Sequence, residues 1–264
     1  MHHAISILFG PVNALLAMLL GPPGQAPLWW REGVDVGGFH VAGIAPRGEG
    51  GEIIGWLPDH VVMSLLVLVL CAVFFPLASR GFRADKPGTV QNVLEVFVDF
   101  LRGVAKENIE HHPDKYLPIA GGFFFFIALS NLLGSFFFFQ PPTANLNVTF
   151  ALSAICLVYF NASGLREHGL LGYLKTFMGP SLAVAVLVFP IELIGNAARG
   201  LSLAMRLYGN IFGEHTATGE FVKLLPIVIP WPMNALGLFT ALLQAYVFTL
   251  LATVYIGQAI SHEH

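Results

Sequence analysis

Five stretches of this chain stay apolar over the length of a membrane crossing, and one of them carries an arginine. The first begins near Asp59 and ends near Ser79, and the others follow at about 117–139, 147–162, 181–222 and 231–260. A hydrocarbon core of about 30 Å takes roughly 20 residues of helix. The chain is 55% hydrophobic and only 11% charged, whereas a soluble domain carries about 25% charged residues. It therefore reads as an all-α integral membrane protein with five transmembrane helices. The fourth stretch is far too long for one perpendicular crossing, so it must tilt, bend or start along the interface. Pro226, Pro230 and Pro232 break the chain after it, and the fifth stretch then returns as the second arm of a long C-terminal helical hairpin.

Residues 89–111 follow another pattern. Val90, Val93, Leu94, Phe97, Val98, Leu101 and Val104 recur at three- and four-residue spacing, while Glu95, Asp99, Arg102, Lys106 and Glu110 fill the other side. That is an amphipathic helix lying on the membrane surface. Orientation follows from the basic residues. Arg80, Arg83, Lys86, Arg102, Lys106 and Lys115 follow the first crossing, and Arg166 and Lys175 precede the fourth. The opposite side holds Arg31, Arg47 and Lys223. The richer loops are expected in the cytoplasm, with the N-terminus outside, the C-terminus inside and the surface helix on the cytoplasmic face.

Residues 1–55 are expected to form an extracytoplasmic segment, with the membrane domain over 56–264. Within the segment, 5–20 is apolar but interrupted by Gly10 and Pro11. With no Lys or Arg before it, it reads as a retained, partly buried or re-entrant piece rather than a cleaved signal peptide. The rest, to Gly55, reads as a loop without a domain of its own. Cys71 and Cys156 lie in apolar runs and suit packing rather than disulfides. His111, His112, His168, His262 and His264 have no metal-ligand spacing, so no metal centre is expected. Asn161-Ala-Ser163 matches a glycosylation triplet but falls on the cytoplasmic side. The small net charge of -3 gives no reason to expect nucleic acid.

Function must be read outward from Arg206. A permanent charge at bilayer depth costs at least about 2.5–3.5 kcal/mol, so such a residue faces protein or a water-filled path. Around it Glu192, Asn196, Arg199, Ser202, Arg206, Asn210 and Glu214 recur every three or four residues. Helical geometry puts them on one face, over roughly 33 Å of axis. One reading is an internal ladder, with Glu192 pairing Arg199 and neighbouring helices satisfying the amides. It leaves Arg206 without a carboxylate, because Glu192 lies about four turns away and Glu214 about two. On the last helix Asn234, Gly237, Thr240, Gln244, Tyr255 and Gln258 fall near one side, and Gln244 is placed to hydrogen-bond Arg206. An amide cannot neutralise a guanidinium. The anion that Arg206 is built to meet must come from elsewhere.

The segments Leu-Ser-Leu-Ala-Met-Arg-Leu-Tyr-Gly-Asn (201–210), Leu-Gln-Ala-Tyr-Val-Phe (243–248), Val-Tyr-Ile (254–256) and Pro-Thr-Ala-Asn-Leu-Asn-Val-Thr (142–149) closely resemble the a subunit of bacterial F-type ATP synthase. The likeness runs from about residue 57 to the C-terminus. It implies a proton-translocating stator subunit in the bacterial inner membrane, its C-terminal hairpin packed against a rotating c-ring. Arg206 would separate two aqueous half-channels and face the ring carboxylates. The resemblance further implies that Asn210 and Gln244 flank the arginine and that Glu192, Asn196, Arg199 and Ser202 line the cytoplasmic path. Tyr255, on the same side of the last helix as Gln244, joins the path as a packed, hydrogen-bonding aromatic rather than a proton carrier. His215 stands where the family carries Glu or His. Gly237 stands where the family often has a titratable group, so Glu214, His215, Glu220 and Asn234 become joint candidates for the exterior path. Implied partners are the c-ring, the b subunit of the peripheral stalk, the catalytic sector indirectly, and lipid. No Gly-x-x-x-x-Gly-Lys-Ser/Thr loop is present, so the chain is expected to move ions without nucleotide, cofactor or catalysis of its own. The competing reading is a secondary transporter binding an anionic substrate at Arg206. Its usual marks, internal repeats and paired broken helices, are not evident.

Overall fold

The computed structural model describes residues 9–20, 22, 33–36, 39–42, 57–80, 82, 88–110, 112–135, 141–178, 182–224 and 230–261. Its helices are α1 (Phe9–Leu20), α2 (Asp59–Arg80), α3 (Thr89–Asn108), α4 (Leu117–Gly134), α5 (Leu146–Met178), α6 (Leu182–Leu224) and α7 (Pro230–Ile260). Five are long and apolar enough to cross a membrane: α2, α4, α5 over Leu146–Leu170, α6 over Val186–Phe221 and α7 over Pro232–Ile260. The protein is helical and multi-pass, as its apolar pattern predicts. At 43 residues, α6 is about 65 Å long, twice the hydrocarbon thickness, so it cannot stand upright in the bilayer.

Two boundaries differ from the sequence reading. The N-terminal segment, read as a plain loop, holds a small antiparallel pair, β1 (Gly33–Val36) and β2 (Phe39–Ala42), with Val34 opposite Val41. The third crossing does not stop near residue 162. It runs on through Arg166, Glu167 and His168 and breaks only at Gly169, whose φ of 68° leaves helical geometry. Charge ends a hydropathic run but not a helix. A left-handed residue does end one, and glycine adopts that conformation without steric cost. Residues 136–140, which the sequence assigned to the second crossing, lie outside the described residues.

The surface helix α3 packs against α4 and α7 through buried Leu94, Leu101, Val104 and Ala105. The core joins them: Phe123, Phe124 and Ile127 of α4, Leu152, Cys156 and Phe160 of α5, Leu203, Leu207 and Ile211 of α6, and Ala245, Phe248, Ala252 and Ile256 of α7. Lipid tails are as apolar as these side chains, so close packing rather than escape from solvent holds the helices together. Small residues make the approaches possible. A Cβ on Gly200 would lie 2.6 Å from Leu157 Cδ1, and one on Gly257 would overlap the Asn108 carbonyl at the end of α3. On the outside, Leu65, Leu68, Val69, Val73 and Leu77 of α2 are exposed, as a lipid-facing surface should be.

Candidate functional site

The register of α6 decides which residues of its polar stripe meet protein. Leu203 and Leu207 are 2% and 0% exposed, turned into the core, whereas Ser202 and Arg206 lie on the outward side. Positions one residue apart differ by about 100° of helical rotation, which suffices to put a leucine inside and an arginine out. Arg206 makes no hydrogen bond or ion pair with any described residue. Its outward neighbours Leu201, Met205 and Phe212 are exposed apolar side chains. The guanidinium therefore stands alone on an otherwise greasy face.

Polar partners collect on either side of it. Toward the start of α6, Arg199 Nη2 donates to Glu192 Oε1 at 3.2 Å, and the Arg199 guanidinium lies 6.0 Å from the centre of the Tyr255 ring. The ring of Tyr255 also packs 5.8 Å from that of Phe160. Asn196 is buried and donates through Nδ2 to Asn161 Oδ1 at 2.7 Å. The Tyr173 hydroxyl donates to the same oxygen at 2.8 Å. The Glu192–Arg199 pair of the internal ladder thus exists in this half of the stripe.

Toward the end of α6 an open cleft lies between the last turns of α4 and α6 and the first turns of α7. Its lining includes Asn131, Asn210, Glu214, His215, Asn234 and Gln244. It reaches Asn210 and Gln244, one turn short of Arg206. Gln244 does not meet Arg206 as its position suggests. Its Oε1 instead accepts from Asn210 Nδ2, because α7 packs one helical turn further along α6. The other polar side-chain atom, Nε2, is buried and has no partner among the described residues.

Gly237 explains the arrangement of the acid. A Cβ there would overlap the Glu214 carboxylate, so the acid on α6 fills the space that a side chain on α7 would take. Thr240 Oγ1 donates to Glu214 Oε2 at 3.1 Å and holds it in place. His215 lines the cleft beside it. Glu220 does not line it and is paired with Lys223 at 2.7 Å on an exposed surface. Asn234 Nδ2 donates to the Ser135 carbonyl at 3.4 Å, tying α7 to the end of α4. The far wall is set by Asn131, whose Oδ1 accepts from Thr143 Oγ1 at 2.6 Å.

Asn131, Thr143, Asn161 and Tyr173 were not singled out by sequence as site residues. Asn161 and Thr143 fall in the two motifs noted, the chance triplet and the segment 142–149. Asn131 and Tyr173 carry no spacing signal that could have marked them.

A family model described as ATP synthase A chain matches residues 61–257. Among individual proteins, the chain is 37% identical over 209 residues to "ATP synthase subunit a" of Sulfurihydrogenibium sp. (strain YO3AOP1), covering 79% of this chain and all of that one. It is 38% identical to the protein of that name from Bdellovibrio bacteriovorus, over 77% of this chain and 92% of the relative. With the Solibacter usitatus protein of the same name it shares 35% identity over 231 residues, 85% of this chain and 98% of that one. The transporter alternative finds no support in these matches. Matched over most of its length by the family model and by relatives it covers almost completely, the chain belongs to the ATP synthase A chain family.

Proposed function

We propose that this chain is the proton-translocating stator subunit of an F-type ATP synthase in the bacterial inner membrane, working through two half-channels kept apart by Arg206. The observation that carries the reading is Arg206 itself: an outward guanidinium with no anionic partner among the described residues, between two separate polar clusters. An unpaired cation at that depth asks for a carboxylate on another protein, and the c-ring supplies one. Glu192, Asn196, Arg199, Ser202 and Tyr255 form the cytoplasmic path. The cleft at Asn210, Glu214, His215 and Gln244 forms the exterior one. The b subunit of the peripheral stalk holds the chain against rotation and links it to the catalytic sector.

A proton from the exterior cleft neutralises a ring carboxylate, which can then turn into lipid without the cost of an unpaired buried charge. After nearly a full turn it meets the other path and releases the proton. As the ionised carboxylate passes Arg206, the fixed positive charge favours its charged form and repels a proton that would cross directly. Gln244 Nε2, buried and without a partner among the described residues, is a donor left for a water beside it in the cleft. Each proton descending 100 mV releases about 2.3 kcal/mol, so several must pass for each ATP formed in the catalytic sector.

Arg206→Ala and Arg206→Lys should both abolish ATP-driven acidification of inside-out vesicles while the subunit still assembles. Lysine fails because a desolvated ammonium can lose its proton and lacks the planar fork. Acidification at the parental rate by the lysine variant would sink the reading.

A further inference from the structure

Tyr173 lies beyond the crossing part of α5 and yet reaches the polar seam of α6. Three local features bring it there. Gly169, at φ 68°, breaks the helix and redirects the chain. Gly164 leaves a slot: a Cβ there would stand 2.5 Å from Tyr173 Cε2 and 2.7 Å from the Ala259 carbonyl. Asn161 then offers its Oδ1, which accepts from Tyr173 and Asn196 together at 2.8 and 2.7 Å. The amide end of Asn161 is committed as well, donating to the Leu157 carbonyl at 2.7 Å and lying 3.4 Å from Asn196 Oδ1.

An amide can present either end to a neighbour, since its two ends are nearly the same size. Two donors converging on one oxygen remove that choice. A flipped Asn161 would point its NH2 at the hydroxyl of Tyr173 and the NH2 of Asn196. The Leu157 carbonyl, which can only accept, sets which end of Asn161 faces the seam, and the Tyr173 hydroxyl braces the oxygen that orients Asn196. Burial pushes the Tyr173 phenol above its ordinary pKa, with Arg199 pulling it down and Glu192 pushing it up. The phenol stays a donor.

We propose that Tyr173 is a positioning residue of the cytoplasmic half-channel: through Asn161 it fixes the Asn196 amide, and with it the polar mouth through which protons leave toward the cytoplasm. The proposal rests on the two-channel reading above. Neutral amides do not carry the proton. They order the water that does, so misorienting them slows passage without closing it.

Tyr173→Phe separates this role from packing, because it keeps the ring in the Gly164 slot and removes only the hydroxyl. In inside-out vesicles holding the whole synthase, passive proton conduction after removal of the catalytic sector should fall roughly two- to tenfold, the worth of one neutral hydrogen bond. Subunit assembly should be unchanged. Asn161→Ala should cause a similar loss, and adding Tyr173→Phe to it should cause no further loss, as expected when two residues act through one interaction. The conduction profile against pH should shift when the cytoplasmic side is titrated and hold when the exterior side is. Arg199 and Glu192 of α6 are the charged groups whose fields reach Tyr173, Tyr255 of α7 faces Arg199, and Arg166, Glu167 and His168 lie on its own helix.

Parental conduction and an unchanged profile in Tyr173→Phe, with poor assembly in Tyr173→Ala, would make the residue a packing aromatic and overturn the proposal. A further loss on the Asn161→Ala background would overturn it too. Both results leave the two-channel reading standing, which falls if Arg206→Ala or Arg206→Lys still pumps at the parental rate.

Discussion

At the scale of single residues, the exchange between Glu214 and Gly237 is the feature most particular to this chain. One helix gives up a side chain, and the other puts a carboxylate into the vacated space under the Thr240 hydroxyl. Sequence left Glu214, His215, Glu220 and Asn234 as equals on the exterior path, because spacing reveals a shared face but not the depth at which two helices meet. Packing ranks them. Glu214→Gln should slow ATP-driven acidification most, His215→Ala less, and Glu220→Gln hardly at all, since Glu220 is taken up by Lys223. Gly237→Ala should also slow it, by pushing the carboxylate off Thr240, and Glu214→Ala should leave no additional penalty for it. Full activity in Glu214→Gln with loss in Glu220→Gln would move the path to Glu220. The same blindness to depth produced the mistaken Arg206–Gln244 pair. Both residues were legible as a facing couple, but the one-turn offset that gives Gln244 to Asn210 was not.

At the scale of elements, the two sides of α6 differ as sharply as the two sides of a soluble helix. The amphipathic character of α3 was visible because its charges recur with helical period. The contrast on α6 was visible only through its polar stripe, since leucines that face lipid and leucines that face protein are chemically the same. Cysteine substitutions tell them apart. In active membranes Ser202→Cys and His215→Cys should react with silver ion, whereas Leu203→Cys and Leu207→Cys, at positions 2% and 0% exposed, should resist. Equal reactivity at 202 and 207 would mean that the register of α6 described here is wrong. The continuation of α5 past residue 162 was hidden for a different reason. Arg166, Glu167 and His168 end an apolar run, yet all three are tolerated in a helix, and the real stop is Gly169.

At the scale of the whole molecule, composition and apolar length were enough for five crossings and a surface helix, because hydrocarbon leaves few alternatives to helices. The N-terminal hairpin at Gly33–Ala42 was not legible, since strands of four residues carry too little alternation to stand out. Orientation rests on the basic residues. Cysteines placed near Lys86 and Arg166 should be labelled by impermeant reagents from the cytoplasm, and one near Pro230 from outside. Labelling of positions 86 and 230 from one side would break the five-crossing scheme. The cleft that stops at Asn210 and Gln244 has a bearing on assembly. On the two-channel reading proposed above, with Leu203 and Leu207 sealed into the core beyond it, a copy that has not yet met a ring would have an inlet and an outlet but nothing to join them. Such a copy would wait in an energised membrane without draining it, and conduction would begin only when a moving part completed the circuit.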